Sequence, residues 1–193
     1  HVGPGRYSAK LTIGDFSQIQ EFDILKDPRD EVSDKSIADQ EQLKKTIYEN
    51  LKELYESLKQ LQDVRQQVGQ MIDREEGDKE IKEMGEGIKE KVGEIEKALI
   101  SPKQETFQDN INFRNKLDIQ LYQLMQTIDG SVPPLTNGEK ELYEDLKKKW
   151  NTQKESVQKI LNEDIPAFNK LLRDKGVEYI APKKKAEEEN VGL

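Results

Sequence analysis

The chain has 193 residues, of which 36% are charged and 33% hydrophobic; 31 Lys and Arg against 39 Asp and Glu leave a net charge of −8. A single His and no Cys exclude disulfides, Cys-based zinc sites, thiol nucleophiles and Cys-ligated clusters, and any His-dependent triad would have to run through His1. The acidic balance argues against duplex nucleic acid, which needs a basic face, and no apolar run approaches the ~20 residues that span a bilayer.

The sequence opens on His1-Val2-Gly3-Pro4, without Met or a signal-peptide pattern, so the expectation is a piece cut from a longer polypeptide or a processed product. Gly3-Pro4-Gly5 signals a turn, and Tyr7, Ala9, Leu11 and Ile13 then alternate on one face of a strand. Gly14-Asp15 turns the chain into a second strand over 17–25. There Gln18, Gln20, Phe22 and Ile24 share one face, and Ile19, Glu21 and Asp23 the other. Pro28 ends the hairpin because proline cannot continue a ladder. A two-stranded hairpin is marginal alone, so it must pack on something or complete a larger sheet.

From Ser33 the period becomes helical. Leu43, Ile47, Leu51, Leu54, Leu58, Leu61, Val68 and Ile72 predict one amphipathic helix of ~40 residues, about 60 Å long. Arg65 falls where the seam expects an apolar side chain, so either Val64 takes over as the stripe drifts or Arg65 makes a semi-buried contact. A second helix from Asp78 carries Ile81, Met84, Ile88, Val92, Ile95 and Leu99. Gly85, Gly87 and Gly93 inside it each cost about 1 kcal/mol relative to Ala, so that helix is weak or admits a close neighbour. Ser101-Pro102 stops it. The stretch Asp109 to Asp129, with Phe113, Leu117, Leu121, Leu124 and Ile128, predicts a third helix.

Thr136 followed by Glu139 forms a capping box for the fourth helix, whose stripe is Leu142, Leu146, Trp150, Val157, Ile160, Leu161, Ile165, Phe168 and Leu172. Pro166 predicts a kink near residues 162–165. Gly176 reads as the C-terminal cap, Val177 to Ile180 as a short strand, and the run Lys183 to Glu189 as a disordered charged tail.

These elements predict a mainly α fold: an up-down four-helix bundle of two long and two short helices, with an N-terminal β-hairpin joined by the short C-terminal strand. Three parts follow: 1–32 as hairpin and linker, 33–176 as the bundle, and 177–193 as strand and tail. In an up-down-up-down order the 73–78 and 130–136 connections share one end, and the long helices continue beyond the short ones as an antiparallel pair. Val177 to Ile180 would then lie beside the hairpin.

Candidate chemistry is sparse. His1 is terminal and has no neighbours at ligand spacing. Asp27, Asp30, Glu31 and Asp34 approximate calcium-ligand spacing, but the central Gly and closing Glu are missing and Pro28 interrupts, so a solvated linker is the better reading. Glu163-Asp164 beside Ile165-Pro166 is the least ordinary pair of acids, and the kink would bring it near the hairpin. Lys147-Lys148-Lys149-Trp150 reads as a core tryptophan with solvated lysines rather than a nucleic-acid contact. Asn110 to Asn115 is richer in amides than a helix start needs, which suits capping or bonding to neighbouring segments. Catalytic, cofactor-binding and metal-ligating residues are all expected to be none.

The run Gly3 to Ile13, followed by Phe22-Asp23-Ile24-Leu25-Lys26-Asp27-Pro28-Arg29, resembles the close of an immunoglobulin-like module. Such modules stand near the C-terminus of large secreted bacterial proteins built on sortilin-like, BNR-repeat β-propellers and labelled glycosyl hydrolases. Leu61 to Val68, Ile111 to Leu117, and Asp164 to Leu172 with Gly176-Val177 are similar to the helical domain that follows in those proteins. The resemblance spans nearly the whole chain in order and spacing.

It implies a secreted, periplasmic or bacterial cell-surface setting and a non-catalytic accessory role. Implied partners are the parent propeller or another protein through the helix faces, or a second copy in a homodimer; nucleic acid and membrane insertion are not expected. The propeller lies outside this sequence, so no catalytic residue carries over. The alternatives are a glycoside-hydrolase fragment contributing to a carbohydrate site, and a free-standing helical adaptor.

Overall fold

A computed structural model describes residues 2–29, 31–103, 106, 109 and 113–182. The elements run β1 (Gly5–Ile13), β2 (Phe16–Ile24), α1 (Asp34–Arg74), α2 (Lys79–Leu99), α3 (Leu117–Gly130) and α4 (Asn137–Lys159). A π-helical turn (Ile160–Asp164) then leads into α5 (Ile165–Asp174). The last three pieces form one continuous helical rod. The protein is thus mainly helical, with four helices and an antiparallel N-terminal hairpin, as the periodicities predict.

Local signals account for the helix ends. Ser33 caps α1 through its hydroxyl to the Ser36 amide, and the Asp78 carboxylate accepts from the amides of Glu80 and Ile81 to start α2. Thr136 and Glu139 satisfy each other's backbone amides in the capping box before α4. Beyond α5, Gly176 takes φ +74°. The Val177 amide donates to the Leu172 carbonyl and the Gly176 amide to that of Arg173, at 2.9 and 3.0 Å, which completes a Schellman cap.

Two boundaries differ from expectation. α3 begins at Leu117 rather than Asp109, because side-chain amides occupy the backbone just before it: Gln120 donates to the Asn115 carbonyl at 2.8 Å. Near Pro166 the helix widens instead of breaking, and the Ile165 amide reaches the Ile160 carbonyl across the π turn. Proline lacks an amide and its ring crowds the carbonyl four residues back, and an extra residue in the turn relieves that crowding.

The helices also run in a different order from the alternation expected. Followed back along α1, Ile72 and Val68 meet Gly85 of α2 and Arg65 meets Glu96. Tyr55 then bonds Asp118 of α3 at 3.2 Å, and Lys44 bonds Asp129 at 2.7 Å. α2 and α3 therefore run in the same direction, end to end, antiparallel to α1. The fourth helix runs parallel to α1: Asn50 bonds Tyr143, Glu53 bonds Trp150, and Gln67 reaches Ala181 after the cap.

Burial explains this arrangement. α2 and α3, 21 and 14 residues long, together nearly match the 41 residues of α1. Laid in tandem, they cover both long helices along most of their length, so every Leu, Ile, Val and Met from Ile47 to Ile72 lies inside. An up-down-up-down stack would leave half of each long stripe facing only one neighbour. The core includes Trp150 and Phe168, with exposures of 1% and 0%.

Val64 is fully buried while Arg65 points outward to Glu96, so the stripe drifts and the arginine also makes a contact. Tyr143 is buried and Leu142 is not, a one-residue shift of the predicted stripe. Val177 to Ile180 form no strand. The Ile180 amide and carbonyl bond the side chain of Asn169 at 2.8 Å each, and Ala181 bonds Gln67. This segment therefore lies at the opposite end of the rod from the hairpin, because Gln67 stands near the far end of α1.

Candidate interaction surface

The hairpin stands at the other end, against the first turns of α1. A cleft there is lined by Tyr7, Ile24 and Lys26 from the hairpin and by Ile37, Glu41 and Lys45 from α1. Lys26 donates to the Val32 carbonyl and lies 3.8 Å from the Asp34 carboxylate, which ties the linker to the helix start. The Tyr7 hydroxyl donates to the Gly3 carbonyl at 2.7 Å. Of all strand residues only Tyr7 and Ile24, both near this base, are half-buried; the rest are exposed.

A two-residue loop, Gly14-Asp15, sets the register. Gly14 has φ +57° and Ile13 pairs directly with Phe16. Glycine at the first loop position of a two-residue hairpin favours the turn whose twist matches the strands. Paired residues share a face, so Tyr7, Ala9, Leu11 and Ile13 lie with Phe16, Gln18, Gln20, Phe22 and Ile24 on one side. That face carries no charge. Leu11, Ile13, Phe16 and Phe22 are 57%, 66%, 57% and 46% exposed. Tyr7 and Phe22 stack with ring centroids 6.1 Å apart. The opposite face carries Arg6, Lys10, Glu21 and Asp23, with an Arg6–Glu21 ion pair at 2.6 Å.

Each strand pairs only with the other among the described residues, so both outer edges offer unpaired backbone groups. Exposed hairpins with one uncharged apolar face are surfaces for association. Strand assignment from Ser17 alone misses Phe16. The signal that finds it is the Gly-first two-residue loop, which forces Phe16 opposite Ile13.

The sequence candidates fall elsewhere. Asp27 bonds both the backbone and the guanidinium of Arg29, which holds its carboxyl below the usual range. His1, Asp30 and Asn110 to Asn112 lie outside the described residues, as does the predicted tail. Among the described residues no group of three His, Asp or Glu is placed to hold a metal. Glu163 and Asp164 sit in the π turn, far from the hairpin, and Asp164 pairs with Lys91 of α2 at 2.7 Å. Trp150 is a core anchor whose indole N–H reaches Glu53. Lys147 and Lys148 pair with Glu144 and Asp145 one turn back.

Buried polar groups cluster where α3 meets α1. Burial pushes the Asp118 carboxyl up despite hydrogen bonds from the Ile119 amide and the Tyr55 hydroxyl. Burial, together with that carboxylate, pushes Tyr55 up to about 12. Burial pulls the Lys44 ammonium down, but hydrogen bonds to Asp129 and Glu41 outweigh it and the net direction is upward. Gln40 donates to the Ile128 and Ser131 carbonyls at 2.9 and 3.1 Å, closing the C-terminal end of α3. These contacts fix α3 on α1.

No family model, curated protein or solved structure matches this chain. No helix among the described residues is long and apolar enough to cross a membrane.

Proposed function

We propose that the chain is a non-catalytic accessory domain of a secreted or cell-surface bacterial β-propeller protein, serving packing or partner binding. The observation that carries this reading is the uncharged hairpin face, with Leu11, Ile13, Phe16 and Phe22 open to solvent on a rod whose own core is filled. Beyond Tyr7 and Ile24 at its base, the bundle does not cover that face, so burial of the rest belongs to an association. In this reading the hairpin is the attachment point and the rod holds it.

The test is twofold. Purified chain assayed against a panel of aryl glycosides should show no turnover above the blank, and clear hydrolysis would refute the accessory reading. Sedimentation over a concentration series should show whether the hairpin associates. A monomer that gains no mass and binds no hydrophobic dye at the hairpin would remove the basis for an attachment role.

A further inference from the structure

We propose that the cleft ringed by Arg114, Lys116 and Lys149, between the start of α3 and the middle of α4, binds a small oxyanion of the pyrophosphate or phosphate-monoester class. The cleft measures about 360 Å³, with Ala98 and Leu117 in its apolar lining. Among the described residues, its charged lining side chains are all cations. This is unusual in a chain of net charge −8. Three other clefts on the molecule mix both signs: Lys26 and Lys45 with Asp34 and Glu41, Lys91 and Lys159 with Glu90, Glu94 and Asp164, and Lys154 and Lys159 with Glu155 and Glu163.

Lys147 and Lys148 each find a carboxylate three residues back, whereas the residue three before Lys149 is the buried Leu146, and Asp145, four before it, is paired with Lys148. Residues three and four ahead of it are Thr152 and Gln153, which line the same cleft and carry no charge.

Arg114 and Lys116 stand just before the first turn of α3, the positive end of that helix, where cations are disfavoured. Asp118 already accepts from the Ile119 amide there, so the helix end is not the proposed binding element. An anion between the three side chains offsets their mutual repulsion and their position at the helix end, and it gains charge-assisted hydrogen bonds. The volume admits a phosphate group with a small organic remainder and excludes a duplex.

Thermal melting of the full chain with sodium pyrophosphate, against sodium chloride of equal ionic strength, tests the site. Pyrophosphate should raise Tm by about 4 °C when present at ~10 times Kd, and chloride should not. The double variant Arg114→Gln, Lys149→Gln should lose that response, with its helicity checked by circular dichroism. The control pair Lys147→Gln, Lys148→Gln, outside the cleft, should keep it. If the double variant loses its fold, Lys116→Gln alone should weaken pyrophosphate binding at least threefold by calorimetry. Equal shifts with both salts, or an undiminished pyrophosphate response in the cleft variants, would overturn the proposal.

Discussion

Gly85 of α2 lies so close to Ile72 of α1 that a Cβ on the glycine would stand 2.8 Å from Ile72 Cδ1 and 3.1 Å from Val68 Cγ1. This contact sets how closely the two helices approach where α1 gives way to α2. Gly87 and Gly93, in the same helix, face open space. The three glycines therefore have opposite meanings despite identical propensity.

Gly85→Ala should destabilise the protein by about 1–3 kcal/mol through overpacking. Gly93→Ala should stabilise it by up to about 1 kcal/mol through helix propensity. Urea unfolding of both variants followed at 222 nm checks the contrast, and two shifts of the same sign would contradict the packing argument.

Arg65 pairs with Glu96, whose side chain is only 8% exposed and whose other carboxylate oxygen is buried without a hydrogen-bond partner. Arg65→Met should cost about 1–3 kcal/mol, since it leaves a buried carboxylate alone. The double variant Arg65→Met, Glu96→Met should recover most of that loss. A double variant as unstable as the single one would show that packing, and not the stranded charge, sets the cost.

The raised Asp118 carboxyl gives a sign for the pH dependence. A carboxyl whose folded pKa exceeds its unfolded value binds more protons when folded. Its contribution is therefore favourable in acid and is lost as pH rises from the unfolded value, near 3.8, through the folded one. Asp118→Asn does not ionise: its Oδ1 can still accept from the Ile119 amide, and its NH2 group faces the Tyr55 hydroxyl, which can turn to accept. Its stability relative to the parent should rise between pH 4 and pH 7, measured by urea unfolding at each pH. A relative stability of the variant that falls over that interval would reverse the assignment.

Thr136→Ala removes the hydroxyl that accepts from the Glu139 amide at 3.2 Å and should cost about 1 kcal/mol. The change in thermal midpoint should be reproduced, to within a few tenths of a kcal/mol, by urea unfolding.

On the hairpin, Leu11→Thr with Phe16→Thr should leave the helical melting transition within about 0.5 kcal/mol of the parent, because both side chains are exposed. The same pair should lower binding of a hydrophobic dye. A large loss of bundle stability would show that the hairpin face contributes to the core after all.

Much of this architecture is legible in residue order. The stripes Ile47 to Ile72 and Ile81 to Leu99, the Thr136–Glu139 box and the Gly176 cap all depend on neighbours within a turn or two, where spacing determines geometry. The direction of α3 does not. It depends on whether the segment 100–116 reverses the chain or carries it onward, and neither periodicity nor capping reports that. Total stripe length does. Two short helices that together match a long one bury more when laid in tandem, an arithmetic that local reading passes over. The hairpin face was half visible: alternation in β1 marks Tyr7 to Ile13, but Phe16 joins it only through the register that Gly14 imposes. The cationic cleft assembles Arg114 and Lys149 from segments 35 residues apart in sequence, a proximity that no linear pattern carries.

The tandem of α2 and α3 makes the helical passes odd in number: out along α1, back through two pieces, and out again. The chain therefore leaves its bundle at the end opposite the one where it entered, with the hairpin on one cap of the rod and Ile180 on the other. Forty-one helical residues at 1.5 Å each separate those caps by about 60 Å. Anything bound at the hairpin would stand that far from anything bound at the opposite cap, a separation fixed by the length of α1.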